Sequence, residues 1–212
     1  MHDRLFIIRL FYYFIAFIQY RPMSSNYIAD KHFSETEITN TLSLYQEFEH
    51  CTFGNVNFSS IPLNNIKFID CSFIGCNLSN ASVKNTMFQT VHFQDCKMLG
   101  MHFDTCNPFG LSFSFDNCIL QHASFYKVNL KKTIFKKSQL IETDFTEANL
   151  TSAVFEDCDL SGAIFDRTIL EKADLRTSHN YSIEPEKNRI KKARFSQVGL
   201  AGLLHKYDII ID

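Results

Sequence analysis

The pentapeptides Glu147-Ala148-Asn149-Leu150-Thr151 and Lys172-Ala173-Asp174-Leu175-Arg176 stand in one register, each with an apolar centre, an alanine two residues earlier and polar residues elsewhere. Working outward, the centre position returns at every fifth residue. It holds Phe48, Phe53, Phe58, Leu63, Phe68, Phe73, Leu78, Val83, Phe88, Phe93, Met98 and Phe103. After an interruption it holds Leu120, Phe125, Leu130, Phe135, Leu140, Phe145, Leu150, Phe155, Leu160, Phe165, Leu170 and Leu175. A period of five matches neither a helix nor a flat strand, so the unit is a short strand plus a turn, repeated. The position two before each centre holds small or β-branched residues such as Cys51, Val56, Cys76, Ala81, Thr133, Ser138 and Ala163, while the other three positions are mostly polar, as an outward surface requires.

Five residues cannot bury two inward side chains alone, so such units must stack, each backbone pairing with the coils above and below. The Ala-Asp/Asn-Leu core resembles the pentapeptide-repeat family over roughly residues 46–176. That resemblance implies an all-β fold, a right-handed quadrilateral β-helix (a pentapeptide-repeat solenoid) with four segments per coil. The centres then fill about six coils, a rod roughly 30 Å long at ~4.8 Å per coil. From Phe125 to Leu170 the centres alternate Phe and Leu, so opposite walls of a four-sided coil carry the same residue.

The expected organisation is an apolar extension (1–22), an N-terminal cap (23–45), the β-helix (46–176) with a break near 104–119, and a C-terminal cap and dimerisation module (177–212). Residues 5–18 are apolar apart from Arg9, too short for the ~20 residues of a spanning helix. The segment stays open between a start-site artefact, with Met23 rather than Met1 as the true beginning, a membrane tether and a packed helix. The lead-in Lys31-His32-Phe33-Ser34-Glu35-Thr36-Glu37-Ile38 either caps the first coil or adds an irregular one, and it resembles the lead-in of the microcin B17 immunity branch of the family. At the break Pro108 falls where a centre is due, and Asn107-Pro108 with Gly110 marks a turn, read as a bulge, kink or projecting loop. In the tail, Ser196 is placed to cap a helix from about Gln197 to Lys206 with the apolar stripe Leu200, Leu203, Leu204 and Tyr207, followed by a strand Ile209-Ile210-Ile211. This ending resembles the dimerisation module of the Qnr-type quinolone-resistance branch, which implies a homodimer through the C-terminus.

All seven cysteines fall on the inner small position, which reads as reduced packing thiols in a cytoplasmic protein. No Cys-x-x-Cys pair, phosphate loop or nucleophile with a base is present, so neither catalysis, a cofactor nor a metal is expected. Net charge is −2, unevenly spread. Residues 120–137 hold Lys127, Lys131, Lys132, Lys136 and Lys137 without an acid, whereas residues 138–175 hold Glu142, Asp144, Glu147, Glu156, Asp157, Asp159, Asp166, Glu171 and Asp174 against Arg167 and Lys172. Over two coils that density approaches the one charge per ~1.7 Å of duplex DNA. Together with the family resemblance it implies a DNA mimic that meets DNA gyrase or topoisomerase IV through these acids and protects it from a quinolone or peptide toxin, without binding nucleic acid itself. The alternative is a general protein-binding scaffold, membrane-tethered if residues 5–18 act as an anchor.

Overall fold

The computed structural model describes residues 26–210, which wind as a four-walled parallel β-helix. Wall 1 is a four-stranded sheet of β1 (Tyr27–Ala29), β3 (Glu47–Glu49), β5 (Lys67–Ile69) and β7 (Met87–Gln89). Wall 2 is seven-stranded, with β2 (His32–Phe33), β4 (Thr52–Gly54), β6 (Ser72–Ile74), β8 (Val91–Gln94), β9 (Phe113–Asp116), β10 (Ile134–Lys136) and β11 (Val154–Glu156). Walls 3 and 4 are ladders of single parallel bridges, such as Asn77 with Lys97 and Ser124 with Asp144. Phe48 lies over Phe68 and Phe68 over Phe88, the repeat being four pentapeptides per coil.

The corner two residues after nearly every centre is left-handed. Asn55, Lys132 and Glu147 have φ of 54°, 62° and 57°. That conformation costs a residue with a Cβ roughly 1–2 kcal/mol. The corner amide offsets the cost by donating to the next coil, as Asn55 N–H does to the Ile74 carbonyl at 2.8 Å.

Inside, the rings of wall 2 form one column from Phe33 to Phe155, stacked pair by pair, with Phe53 and Phe73 at 4.7 Å and Phe135 and Phe155 at 4.9 Å. Phe103, Phe125, Phe145 and Phe165 make the opposing column on wall 4, and leucines line walls 1 and 3 in the C-terminal half, as the alternation implies. Edge-on contacts such as Phe135–Phe145 at 6.0 Å tie the columns together. Each such pair adds about 0.5–1.5 kcal/mol beyond burial. Several polar residues at the inner small position share one device: the side chain donates to the carbonyl of the centre residue one coil below. Thr86 does so to Leu63, Thr143 to Leu120 and Ser178 to Phe155, at 2.7–3.0 Å, and the thiols of Cys71 and Cys76 do so to Phe48 and Phe53. All seven cysteines are buried free thiols, and burial pushes Cys158 up to about 12.

The lead-in proves to be an irregular coil. β1 and β2 extend walls 1 and 2, and the helix α1 (Glu35–Leu44) takes the place of the other two walls, with Ile38 buried. At the other end the coil continues past Leu175, because His179, Arg189 and Arg194 bridge to Asp159, Ile169 and Asp174. The expected helix after Ser196 forms instead as two 3-10 stretches, Val198–Leu203 and His205–Tyr207. Gln197 rather than Ser196 is the cap residue of the first, and Ser196 Oγ accepts the Gly199 N–H at 3.0 Å. Gly199 and Gly202 lower helix propensity there and lie so close to Tyr181 that a Cβ on either would collide with it. Among the described residues the expected strand does not form: Ile209 and Ile210 have no ladder partner there, and Ile211 lies outside them. The apolar run 5–18 and both candidate starts lie outside them as well.

Candidate interaction surface

The polar positions of each pentapeptide point outward, so what the rod presents is decided by which residues stack along each wall and corner. The nine acids of residues 138–175 do not form one face. Glu171 lies on wall 1, Glu156 and Asp174 on wall 2, Asp159 on wall 3, Asp144 and Asp166 on wall 4, and Asp157, Glu142 and Glu147 at three different corners. Most are also paired. Glu147 lies between Lys127 at 3.5 Å and Arg167 at 3.2 Å, Asp166 meets Arg167, and Glu142 meets His122 at 3.2 Å. Arg189 holds Glu171 at 2.7 Å, and Asp174 is shared by Arg176 and Arg194.

The Arg176 guanidinium keeps the Asp174 carboxyl below its ordinary value. For Asp159, partial burial acts in the opposite direction but is outweighed by hydrogen bonds from Ser161 and Asn180. Asp144, Glu156 and Asp157 have no basic partner among the described residues. The regular repeats end at 176 in the sequence reading, with residues 188–195 only returning toward the coil, because the centres Pro185 and Ile190 of the coil that carries Arg189, Lys191, Lys192 and Arg194 interrupt the Phe/Leu pattern.

The break is confined to wall 1. Its sheet ends at β7, and pairing on that wall resumes as the bridge between Asn129 and Asn149. Wall 2 continues in register past it, Phe93 pairing with Phe115 across 22 residues. The loop between is pinned at both ends, Asn107 N–H donating to the Thr86 carbonyl and Ser112 N–H to the Phe88 carbonyl, each at 2.9 Å. Asn107 Oδ1 also accepts the Phe109 N–H at 2.9 Å, and Gly110 supplies the left-handed residue (φ 69°). The result is a fixed loop holding Phe109 77% exposed, beside a groove of about 210 Å³ lined by Phe103, Pro108, Leu111, Tyr126 and Val128. The sequence placed the break here without singling out Phe109. A phenylalanine off the five-residue beat was the available signal.

The C-terminal end is the second apolar surface. Leu200, Leu204, Tyr207 and Ile209 are exposed, as are Val198 at 91% and Ile210 at 90%, whereas Leu203 packs against the core. Of the expected dimer residues, the structure thus brings Leu200, Leu204, Tyr207, Ile209 and Ile210 to the outside of one chain end. Glu186 fastens this end, accepting from Lys206 Nζ at 2.6 Å and Tyr207 Oη at 2.7 Å. Among the described residues no group of side chains is arranged to hold a metal, and no helix is long and apolar enough to cross a membrane.

The family model of the pentapeptide repeat region matches residues 46–114 and 111–184. No curated protein gives a significant match. Among solved structures, full-length QnrB1, a plasmid-mediated fluoroquinolone resistance protein, is 18% identical over 87% of this chain and 98% of its own, with a TM-score of 0.48. HetL, a pentapeptide repeat protein involved in heterocyst differentiation regulation from the cyanobacterium Nostoc sp. strain PCC 7120, is 13% identical over 81% of this chain and 85% of its own, with a TM-score of 0.34. Rfr23, a pentapeptide repeat protein from the cyanobacterium Cyanothece 51142, is 19% identical over 76% of this chain and 95% of its own, with a TM-score of 0.17.

Proposed function

We propose, from the premise that this chain belongs to the pentapeptide-repeat family, that it is a non-catalytic rod that binds another protein through its outer walls, with Phe109 at the centre of the contact. The exposed phenylalanine at the break carries this reading. Elsewhere the centre rings are sealed inside and the walls are hydrogen-bonded rung to rung. A pinned loop that gives up a wall 1 rung to display an aromatic ring has the form of an interface anchor, since large aromatic side chains dominate binding hot spots. A photoreactive phenylalanine analogue at 109 is expected to cross-link one partner protein, while the same analogue at Ile74 on wall 2 is not. Equal yields from both positions would sink the assignment.

The rod is read as a homodimer joined through the apolar C-terminal end, which is more exposed apolar surface than a capped monomer needs. One observation favours DNA gyrase or topoisomerase IV as the partner. Residues 148–167 hold Glu156, Asp157, Asp159 and Asp166 against Arg167, a net −3 over one coil. Duplex DNA carries about three charges over the same ~4.8 Å. The DNA-like density spans one coil, narrower than the two read from sequence, because arginines of the next coil neutralise Glu171 and Asp174. Gyrase supercoiling with and without ciprofloxacin tests this partner. Absence of both rescue and inhibition at micromolar protein excludes the enzyme and leaves the protein-binding rod standing.

A further inference from the structure

The corner between walls 1 and 2 carries lysines with no counterpart in the acidic reading. The backbone stacks its residues directly. Lys132 N–H donates to the Thr151 carbonyl at 3.0 Å, Ser152 N–H to Glu171 at 2.8 Å and Lys172 N–H to Lys191 at 3.0 Å. The rungs along this edge are therefore Lys131-Lys132, Thr151-Ser152, Glu171-Lys172 and Lys191-Lys192. Lys132, Lys172 and Lys192 all sit in the left-handed corner conformation, with φ of 62°, 61° and 61°, which turns the three the same way along the edge. All five lysines are exposed, and none has a carboxylate partner among the described residues. The two nearby acids are already taken, Glu171 by Arg189 at 2.7 Å and Asp174 by Arg176 and Arg194. The edge is thus a line of free ammonium groups about 14 Å long, at ~4.8 Å per rung. Its one uncharged rung carries two hydroxyls.

We infer that this edge is a binding track for the phosphodiester backbone of a nucleic acid, independent of the Phe109 contact. A straight ridge of cations with interleaved hydroxyls matches a linear polyanion running along it. A flat bilayer would touch only the crest. The edge residues are charged or hydroxylic and include no aromatic platform, so binding rests on phosphate contacts and is indifferent to base sequence. This departs from the sequence-based expectation of no nucleic-acid contact, which followed from the family resemblance and from acids that the structure finds largely paired.

The test is fluorescence anisotropy of a labelled random-sequence 30-mer duplex against the full chain at several salt concentrations. Five phosphate contacts give a slope of log K against log salt of about −4.5, so affinity falls about 500-fold between 50 and 200 mM KCl. In K132E/K172E/K192E, with two lysines left, the slope falls to about −1.8 and the loss over the same range to about 12-fold. A K84Q/K97Q pair, removing lysines from other walls, leaves binding within twofold. Melting curves of the three proteins separate lost binding from lost folding, and K132Q/K172Q/K192Q serves if the reversed charges do not fold. The proposal is overturned by no binding at 50 mM KCl, by an unchanged salt slope in the corner variant, by polyglutamate displacing the duplex at equal charge concentration, or by corner-dependent retention on phosphatidylserine vesicles without duplex binding.

Discussion

The rings of Phe93 and Phe115 stack at 5.4 Å and 10°, although 22 residues separate them where 20 separate every other rung of the column. Their neighbours Phe73–Phe93 and Phe115–Phe135 both stack at 5.1 Å, so the core passes the break without registering it. The extra residues lie wholly in the wall 1 loop.

Deleting Pro108 and Phe109 is therefore expected to leave the rod folded, with a chemical denaturation midpoint close to that of the parent. Phe115→Ala, which opens the ring column, costs about 3–5 kcal/mol. If the deletion destabilises as much as the core truncation, the loop is structural and Phe109 loses its place as an anchor.

Tyr181 presents a different imbalance. Its side chain is buried against Gly199 and Gly202, and its hydroxyl has no hydrogen-bond partner among the described residues. An unmet buried hydroxyl costs about 1–3 kcal/mol, so Tyr181→Phe is expected to be neutral or to stabilise within that range. Gly202→Ala should do the opposite, since its Cβ would collide with the Tyr181 carbonyl oxygen, and overpacking costs about 1–3 kcal/mol. Limited proteolysis should then release the segment after Ser196 while the repeats persist. A Tyr181→Phe protein less stable than the parent would contradict this account of the C-terminal fit.

The same segment is held by Glu186, and its pH response follows from that. Hydrogen bonds from Lys206 and then Tyr207 hold the Glu186 carboxyl down to about 2, from an ordinary 4.5. A carboxyl lowered in the folded state stabilises fully above its unfolded value and loses that contribution as pH falls through the folded one. The tail should therefore stay docked at neutral pH and loosen between about 4.5 and 2. Glu186→Gln should show little of this dependence. Hydrogen exchange of the 198–207 amides across that window, parent against variant, is the measurement, and identical pH profiles would rule the latch out.

The fold was legible because five-residue spacing of Phe and Leu admits one solution, a stack with those side chains inside, and every centre from Phe48 to Leu175 is buried. The break was visible as a slipped beat, and Asn107, Pro108 and Gly110 named the turn. Three features were not legible. The final coil hides because Ile190 and Arg194 occupy rungs without the Ala-Asp-Leu signature. The tail reads as an α-helix by its leucine spacing, yet Gly199 and Gly202 are set by contact with Tyr181, a tertiary demand that propensity does not report. The acids at 138–175 read as one charged band because sequence order says nothing of which wall a residue occupies or which arginine lies one coil away.

The proposed dimer rests on residues whose two roles the structure separates. Leu203 packs against the core, so Leu203→Asp would disrupt the tail itself and confuse loss of assembly with loss of fold. Val198 and Ile210 are exposed in the single chain, both almost completely. Substituting both with Asp removes little contact within one chain and puts two charges into the surface proposed to join copies, where burying an unpaired charge is strongly unfavourable. The expected result is a monomer by light scattering at 50 µM with an unshifted melting curve, against a dimer for the parent. A parent that is already monomeric, or a variant that keeps twice the chain mass, would show that the exposed end serves some purpose other than self-association.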